Sequence, residues 1–245
     1  PGASGSPRAS SFAKRLLKRA RIGVNIILTE NSIESQYELF QRLNTGGVSL
    51  ESQEIRNCLI IMLNEDYYNK INELKEYENF KKCLTITDDK YKVEYHMELI
   101  VRYLIAKRNK VNFNNYNIAS EKLSKFLDHE ITLLISDSEF NLDEEIMLFK
   151  KTFDYISEKM GNDIFKKYNA EKDCFEGAFS NASYEAILVG VAENIDRLQG
   201  KNLRTIVKEM YSQEEFIRFS ARGVKVVGRF QGLNSFSREY FSHAN

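Results

Sequence analysis

Several things are missing from this chain of 245 residues, and each absence removes a class of function. No apolar run approaches the roughly 18 residues that a membrane-spanning helix needs, so no membrane partner is expected. There is no net charge: 35 Lys and Arg balance 35 Asp and Glu, which argues against non-specific nucleic-acid binding by the whole surface. Cysteine is scarce. Cys58, Cys83 and Cys174 stand far apart with no CxxC pattern, so neither a zinc site nor a disulfide framework is expected, and a reducing cytoplasm fits best. Only three histidines occur, His96, His129 and His243, without metal-ligand spacing. No Walker-type GxxxxGK[ST] loop is present, and no fixed-period repeat or heptad array. Both prolines fall within residues 1–11.

What remains is a charged, moderately apolar chain, 29% charged and 42% hydrophobic, long enough to bury a substantial core. Residues 1–11 hold no bulky apolar side chain. They read as a disordered linker or tag-like join, and the lack of an initiating Met suggests a piece of something longer. Charge is uneven beyond this point. Residues 1–25 carry six basic and no acidic side chains, 128–145 carry seven acidic and no Lys or Arg, and 204–238 hold seven basic against three acidic. Such runs either orient an anionic partner or form solvated faces.

Phe12, Leu16 and Leu17 predict a short basic amphipathic helix, and Ile22 to Leu28 reads as the clearest strand. Ile33, Tyr37, Phe40 and Leu43 keep one helical face. Asn44 to Gly47 would end that helix, with Ser49 capping the next, whose apolar face is Ile55, Cys58, Leu59, Met62 and Leu63. Helical spacing then predicts segments over 67–80, 95–106, 119–135, 143–160, 162–168, 180–197, 202–210, 213–220 and 229–242. Val224, Val226 and Val227 read as a short extended piece. The helix near Asn181 to Ile195 is rich in small residues and should pack closely on a neighbour. The fold expected is mainly α: an irregular helical domain over 66–245, after a subdomain over 12–65 that contains a little β structure.

The most informative stretch is Phe40-Gln41-Arg42-Leu43-Asn44-Thr45-Gly46-Gly47-Val48-Ser49-Leu50, followed by Gln53-Glu54-Ile55-Arg56-Asn57. The amides of Gly46 and Gly47 have no Cβ to keep a phosphate away. A helix N-terminus following them adds unsatisfied N–H groups. Arg42 or Arg56 would supply charge-assisted hydrogen bonds, Asn44 an oxygen or an NH₂, and Glu54 a carboxylate for a metal or an arginine. A plain helix–turn–helix joint explains the same residues, and both readings stay open.

This run, FxRLNTGGxxLxxxEIRN, resembles the second signature of the GmrSD-type restriction endonuclease N-terminal domain family, a domain of unknown function related to ParB and sulfiredoxin-like folds. Further likenesses follow in order: Glu98-Leu99-Ile100-Val101-Arg102-Tyr103, Phe126-Leu127, Phe153, Gly161 to Phe165, Ala178-Phe179-Ser180-Asn181 and Gly228-Arg229-Phe230. Together they cover about residues 12–235. The resemblance implies a ParB-like nucleotide-binding subdomain with a long helical region, acting in phage defence. There, a nucleoside triphosphate with Mg²⁺ controls restriction of modified DNA, and DNA and a nuclease subunit or domain are the partners. It places Arg42, Asn44, Thr45, Gly46, Gly47, Glu54 and Arg56 at the nucleotide. The family's upstream DGxQR motif and an HNH nuclease domain are not found in these residues. The alternative is a non-catalytic helical module that uses its basic zones to hold nucleic acid or an acidic protein. Arg102 has two readings, a tether to the nucleotide subdomain or an ordinary structural ion pair.

Overall fold

A computed structural model describes residues 19, 21, 32–43 and 50–244. The chain divides into two compact units, Pro1–Arg42 and Leu43–Asn245. In the first, the helix α1 (Ile33–Leu43) buries Tyr37 and pairs Glu38 with Arg42 one turn on. The strand expected over Ile22 to Leu28, the basic helix expected around Phe12 to Leu17, and the turn Asn44 to Ser49 lie outside the described residues.

The second unit is mainly α. Its helices are α2 (Ser52–Leu63), α3 (Glu65–Leu74), α4 (Glu78–Cys83), α5 (Asp88–Lys92), α6 (Tyr95–Arg108), α7 (Leu123–Ile135), α8 (Leu142–Lys159), α9 (Asn181–Glu193), α10 (Ile195–Leu198), α11 (Leu203–Met210), α12 (Glu214–Ser220) and α13 (Val226–His243). One antiparallel hairpin, β1 (Lys167–Asn169) with β2 (Cys174–Glu176), is the only sheet among the described residues; Tyr168 lies opposite Phe175. None of the described helices is long and apolar enough to cross a membrane.

Two helices, α6 and α9, are buried on nearly every side, as expected of core helices. α6 buries His96, Met97 and everything from Leu99 to Ala106, and α9 buries Ser183 to Ala192. The small residues of α9 let α13 approach closely. A Cβ on Gly190 would come within 2.3 Å of the Ser237 carbonyl oxygen, and the Gly190 amide donates to Ser237 Oγ at 2.8 Å. Rings from α4, α6, α8 and α9 fill the other side. Phe80 meets Phe149 at 5.3 Å and Phe153 at 4.9 Å, Tyr103 meets Phe149 at 5.2 Å, and Phe165 meets Tyr184 at 5.0 Å, spacings typical of favourable ring pairs.

α8 accounts for part of the acidic stretch. Asn141 caps it, accepting from the Asp143 and Glu144 amides, and Asp143, Glu144 and Glu145 occupy the first turn, where the helix dipole favours carboxylates. Phe149, Thr152, Phe153 and Ile156 then form the buried stripe at helical spacing.

Several expectations need correction. The helix expected over 67–80 is two helices, because the chain turns after Leu74 and restarts at Glu78. Residues 162–168 form a 3₁₀ turn (Gly161–Asp163) and then β1, since the ring pair Tyr168–Phe175 draws the chain into a hairpin. Val226 and Val227 begin α13 rather than ending an extended piece; only Lys225 before them is extended. α2 lies in the second compact unit, which begins at Leu43.

Candidate functional site

α2 is the helix that follows residues 44–47 in sequence. Its N-cap is Glu51, not Ser49, and the Glu51 amide donates to Glu54 Oε2 at 2.8 Å. That reciprocal use of a third-position Glu stabilises helix starts. Glu54 is therefore engaged in holding the first turn of α2.

The buried face of α2 also differs from expectation. Leu59 is buried, but Ile55, Cys58, Met62 and Leu63 are only half-buried. The stripe that enters the core is Gln53, Arg56 and Ile60. Arg56 is 0% exposed. Its Nε donates to Asp128 Oδ1 at 2.7 Å, Nη1 to Gln53 Oε1, and Nη2 to the Ser124 carbonyl at 3.3 Å. A guanidinium this deep demands such partners, because an unpaired buried charge costs several kcal/mol.

Arg56 opens a chain of ions through the core. Its Nη1 lies 3.6 Å from Glu98 Oε2 on α6. Glu98 Oε1 accepts from Arg102 Nη2 at 2.6 Å, and Arg102 Nη1 donates to Glu185 Oε1 on α9 at 3.0 Å. Glu185 in turn holds Arg229 of α13, at 2.8 Å from Nε to Oε2 and 3.2 Å from Nη2 to Oε1. Asn181 Oδ1 joins this chain, accepting from Arg102 Nη1 at 3.3 Å and from the Tyr95 hydroxyl. Burial works against the Arg102 charge, but the Glu98 and Glu185 carboxylates outweigh it and push the pKa up. Burial likewise raises the Tyr95 phenol, partly countered by Arg102.

Three arginines and the carboxylates Asp128, Glu98 and Glu185 thus form one alternating ladder across α2, α6, α7, α9 and α13. Of the two readings of Arg102, the structural ion pair is the one its contacts show. It is a structural ion pair, and through Glu98 it reaches the helix that carries the EIRN motif.

Comparison with family models, curated proteins and solved structures finds no match to this chain.

Of the residues the sequence nominated, Arg42 is exposed and pairs with Glu38 at 3.7 Å, Glu54 caps α2, and Arg56 is enclosed in the core. Asn44, Thr45, Gly46 and Gly47 lie outside the described residues. Sequence reasoning missed Gln53, Asp128 and Glu185. A signal existed for Glu185: it is the lone acid between Asn181 and Ala192, in a helix otherwise small and apolar. Among the described residues, no group of His, Cys, Asp and Glu could hold a metal ion.

The basic zone over 204–238 is largely neutralised. Arg204 pairs with Asp163, Lys208 with Asp173, Arg218 with Glu215, Arg229 with Glu185 and Arg238 with Glu193. Cys83 is buried, and that burial pushes its thiol up to about 12, so it is chemically quiet.

Proposed function

We propose that this chain is the helical part, with the adjoining turn, of a phage-defence restriction protein under nucleotide control. In this reading a nucleoside triphosphate with Mg²⁺ is held at the turn by Asn44, the amides of Gly46 and Gly47, and Arg42 and Thr45. Glu54 and Arg56 position the turn from α2, one as its cap and the other as its anchor. The nucleotide's role is to signal, and a nuclease partner or domain cuts the DNA.

One observation carries the reading. The segments that produced the family resemblance are scattered from Arg56 to Arg229, yet Arg56, Glu98, Arg102, Asn181 and Arg229 meet in one buried network. The network links α2 to α13, which suits transmission from the turn into the helical unit.

The alternative, a basic module that holds nucleic acid, is weakened by the carboxylate partners of Arg204, Lys208, Arg218, Arg229 and Arg238. Plating efficiency of phage with modified DNA, on cells making the full-length protein, tests the proposal. Asn44→Ala should abolish restriction. Equal plating on the native and variant strains would remove the turn from the function.

A further inference from the structure

A cleft of ≈ 490 Å³ opens where the hairpin, the start of α9 and the α12–α13 connection meet. The volume falls in the usual range for small-ligand sites, roughly 300–1,000 Å³. Its charged lining residues are Lys167 and Arg229, with no carboxylate among the residues that form it.

The polar groups around it are selectively spent. Arg229 commits Nε and Nη2 to Glu185, which fixes its plane, and Nη1 has no protein partner among the described residues. Asn181 has its Oδ1 held by the Tyr95 hydroxyl and Arg102, so its amide cannot flip and Nδ2 is left as an unspent donor. The backbone amides of Asn181 and Ala182, in the first turn of α9, also have no protein acceptor among the described residues. By contrast, the phenols are used: Tyr211 donates to the Lys166 carbonyl and shares a hydrogen bond with Ser183, and Tyr168 donates to Asp173. The lining therefore offers donors and cations but few acceptors.

Aromatic rings complete it. Tyr168, Phe179, Tyr211 and Phe216 all line the cleft, and Tyr211 and Phe216 stand 4.9 Å apart. Their hydroxyls, where present, point to protein partners; Tyr168, Phe179 and Tyr211 are half-buried and keep ring surface for a flat ligand, while Phe216 is buried. Arg222 and Lys225, exposed on the connection that supplies Ala221 and Val224, raise the local positive potential further.

We infer that this cleft binds a small phosphate monoester bearing a flat ring, of the nucleoside monophosphate class. The phosphate is taken by Lys167, Arg229 Nη1, Asn181 Nδ2 and the first-turn amides of α9, as helix starts commonly take anions. The ring lies against the aromatic wall. Because Arg229 and Asn181 are also members of the ion ladder, occupancy is felt by Glu185 and Arg102 directly. This site goes beyond the proposed turn site and needs no Mg²⁺.

The test is a titration of the full chain with adenosine 5′-monophosphate and, separately, with inorganic phosphate. EDTA is present throughout, and binding is read by calorimetry and by amide chemical shifts. The nucleotide should bind more tightly than phosphate and shift the Asn181 and Ala182 amides. Lys167→Met should weaken it about tenfold, the loss of one charge-assisted contact, and Ala221→Trp should block it by filling the mouth. Both residues are exposed, so both variants should melt as the native chain does. No binding at millimolar nucleotide, equal affinity for phosphate and nucleotide, shifts confined to other regions, or native affinity in both variants would each overturn the proposal.

Discussion

Arg102 Nη1 and Glu185 Oε1 lie 3.0 Å apart in the core, although 83 residues separate them in sequence. The two side chains are almost fully enclosed, at 4% and 1% exposure. This contact joins α6 to α9 and is the middle rung of the ladder that runs from Arg56 to Arg229.

Removing the middle rung should be costly. Arg102→Met leaves Glu98 and Glu185 short of a counter-charge in the core, and breaking a buried pair in this way costs about 3–5 kcal/mol. Denaturant unfolding would measure it. Adding Glu185→Leu to Arg102→Met removes one stranded carboxylate but frees Arg229, so recovery should be partial. Full additivity of the two losses would show that the residues are not coupled.

Gly190 makes a sharper prediction about packing. Gly190→Ala drives a Cβ against the Ser237 carbonyl oxygen, a backbone atom that can yield only if α13 moves. Overpacking of this kind costs about 1–3 kcal/mol, against the small gain in helix propensity that Ala normally brings. A thermal melt above the native value would contradict the close α9–α13 contact.

His96 should set an acid-side dependence. Burial lowers its pKa, and its Nδ1 is buried without a hydrogen-bond partner. Glu94 and Glu76 oppose that shift while Lys75 and Lys81 add to it. The folded state therefore holds the imidazole neutral where the unfolded chain, near pH 6.5, begins to take up a proton. The unfolded state binds more protons in that window, so stability falls as pH drops below about 6.5. His96→Gln should flatten the fall in melting temperature between pH 7.5 and 5.5. An unchanged slope would mean that another group titrates.

How much of this was legible in the sequence depends on what each segment answers to. The helices with strong local signals emerged near their true limits: α8 has its cap and acidic first turn, and α9 its run of small residues. The hairpin did not emerge, because three-residue strands carry no periodicity and rest on Tyr168 meeting Phe175. The inward turn of Arg56 was also hidden. In a helix read by hydropathy, an arginine marks the wet face, and distant partners such as Asp128, 72 residues away, reverse that. Glu54 looked like a metal or arginine ligand for a similar reason, since its local job as a cap at the Glu51 amide needs the true helix start.

The capping role of Glu54 can be checked. Glu54→Ala should destabilise the protein by about 1 kcal/mol, the usual value of a lost cap, and Glu54→Gln should keep most of it, because a side-chain amide oxygen still accepts from the Glu51 amide. If Glu54→Gln instead abolished restriction while leaving stability intact, Glu54 would be a nucleotide or metal contact after all.

We propose that the Asn44 segment holds a nucleotide. Calorimetric titration of Mg²⁺ with each common nucleoside triphosphate into the full-length protein, native and Asn44→Ala, addresses it most directly. At least one triphosphate should bind saturably, about tenfold or more weakly in the variant, as expected for losing a hydrogen bond to a charged group. Identical isotherms for the two proteins, or no heat with any triphosphate, would contradict it.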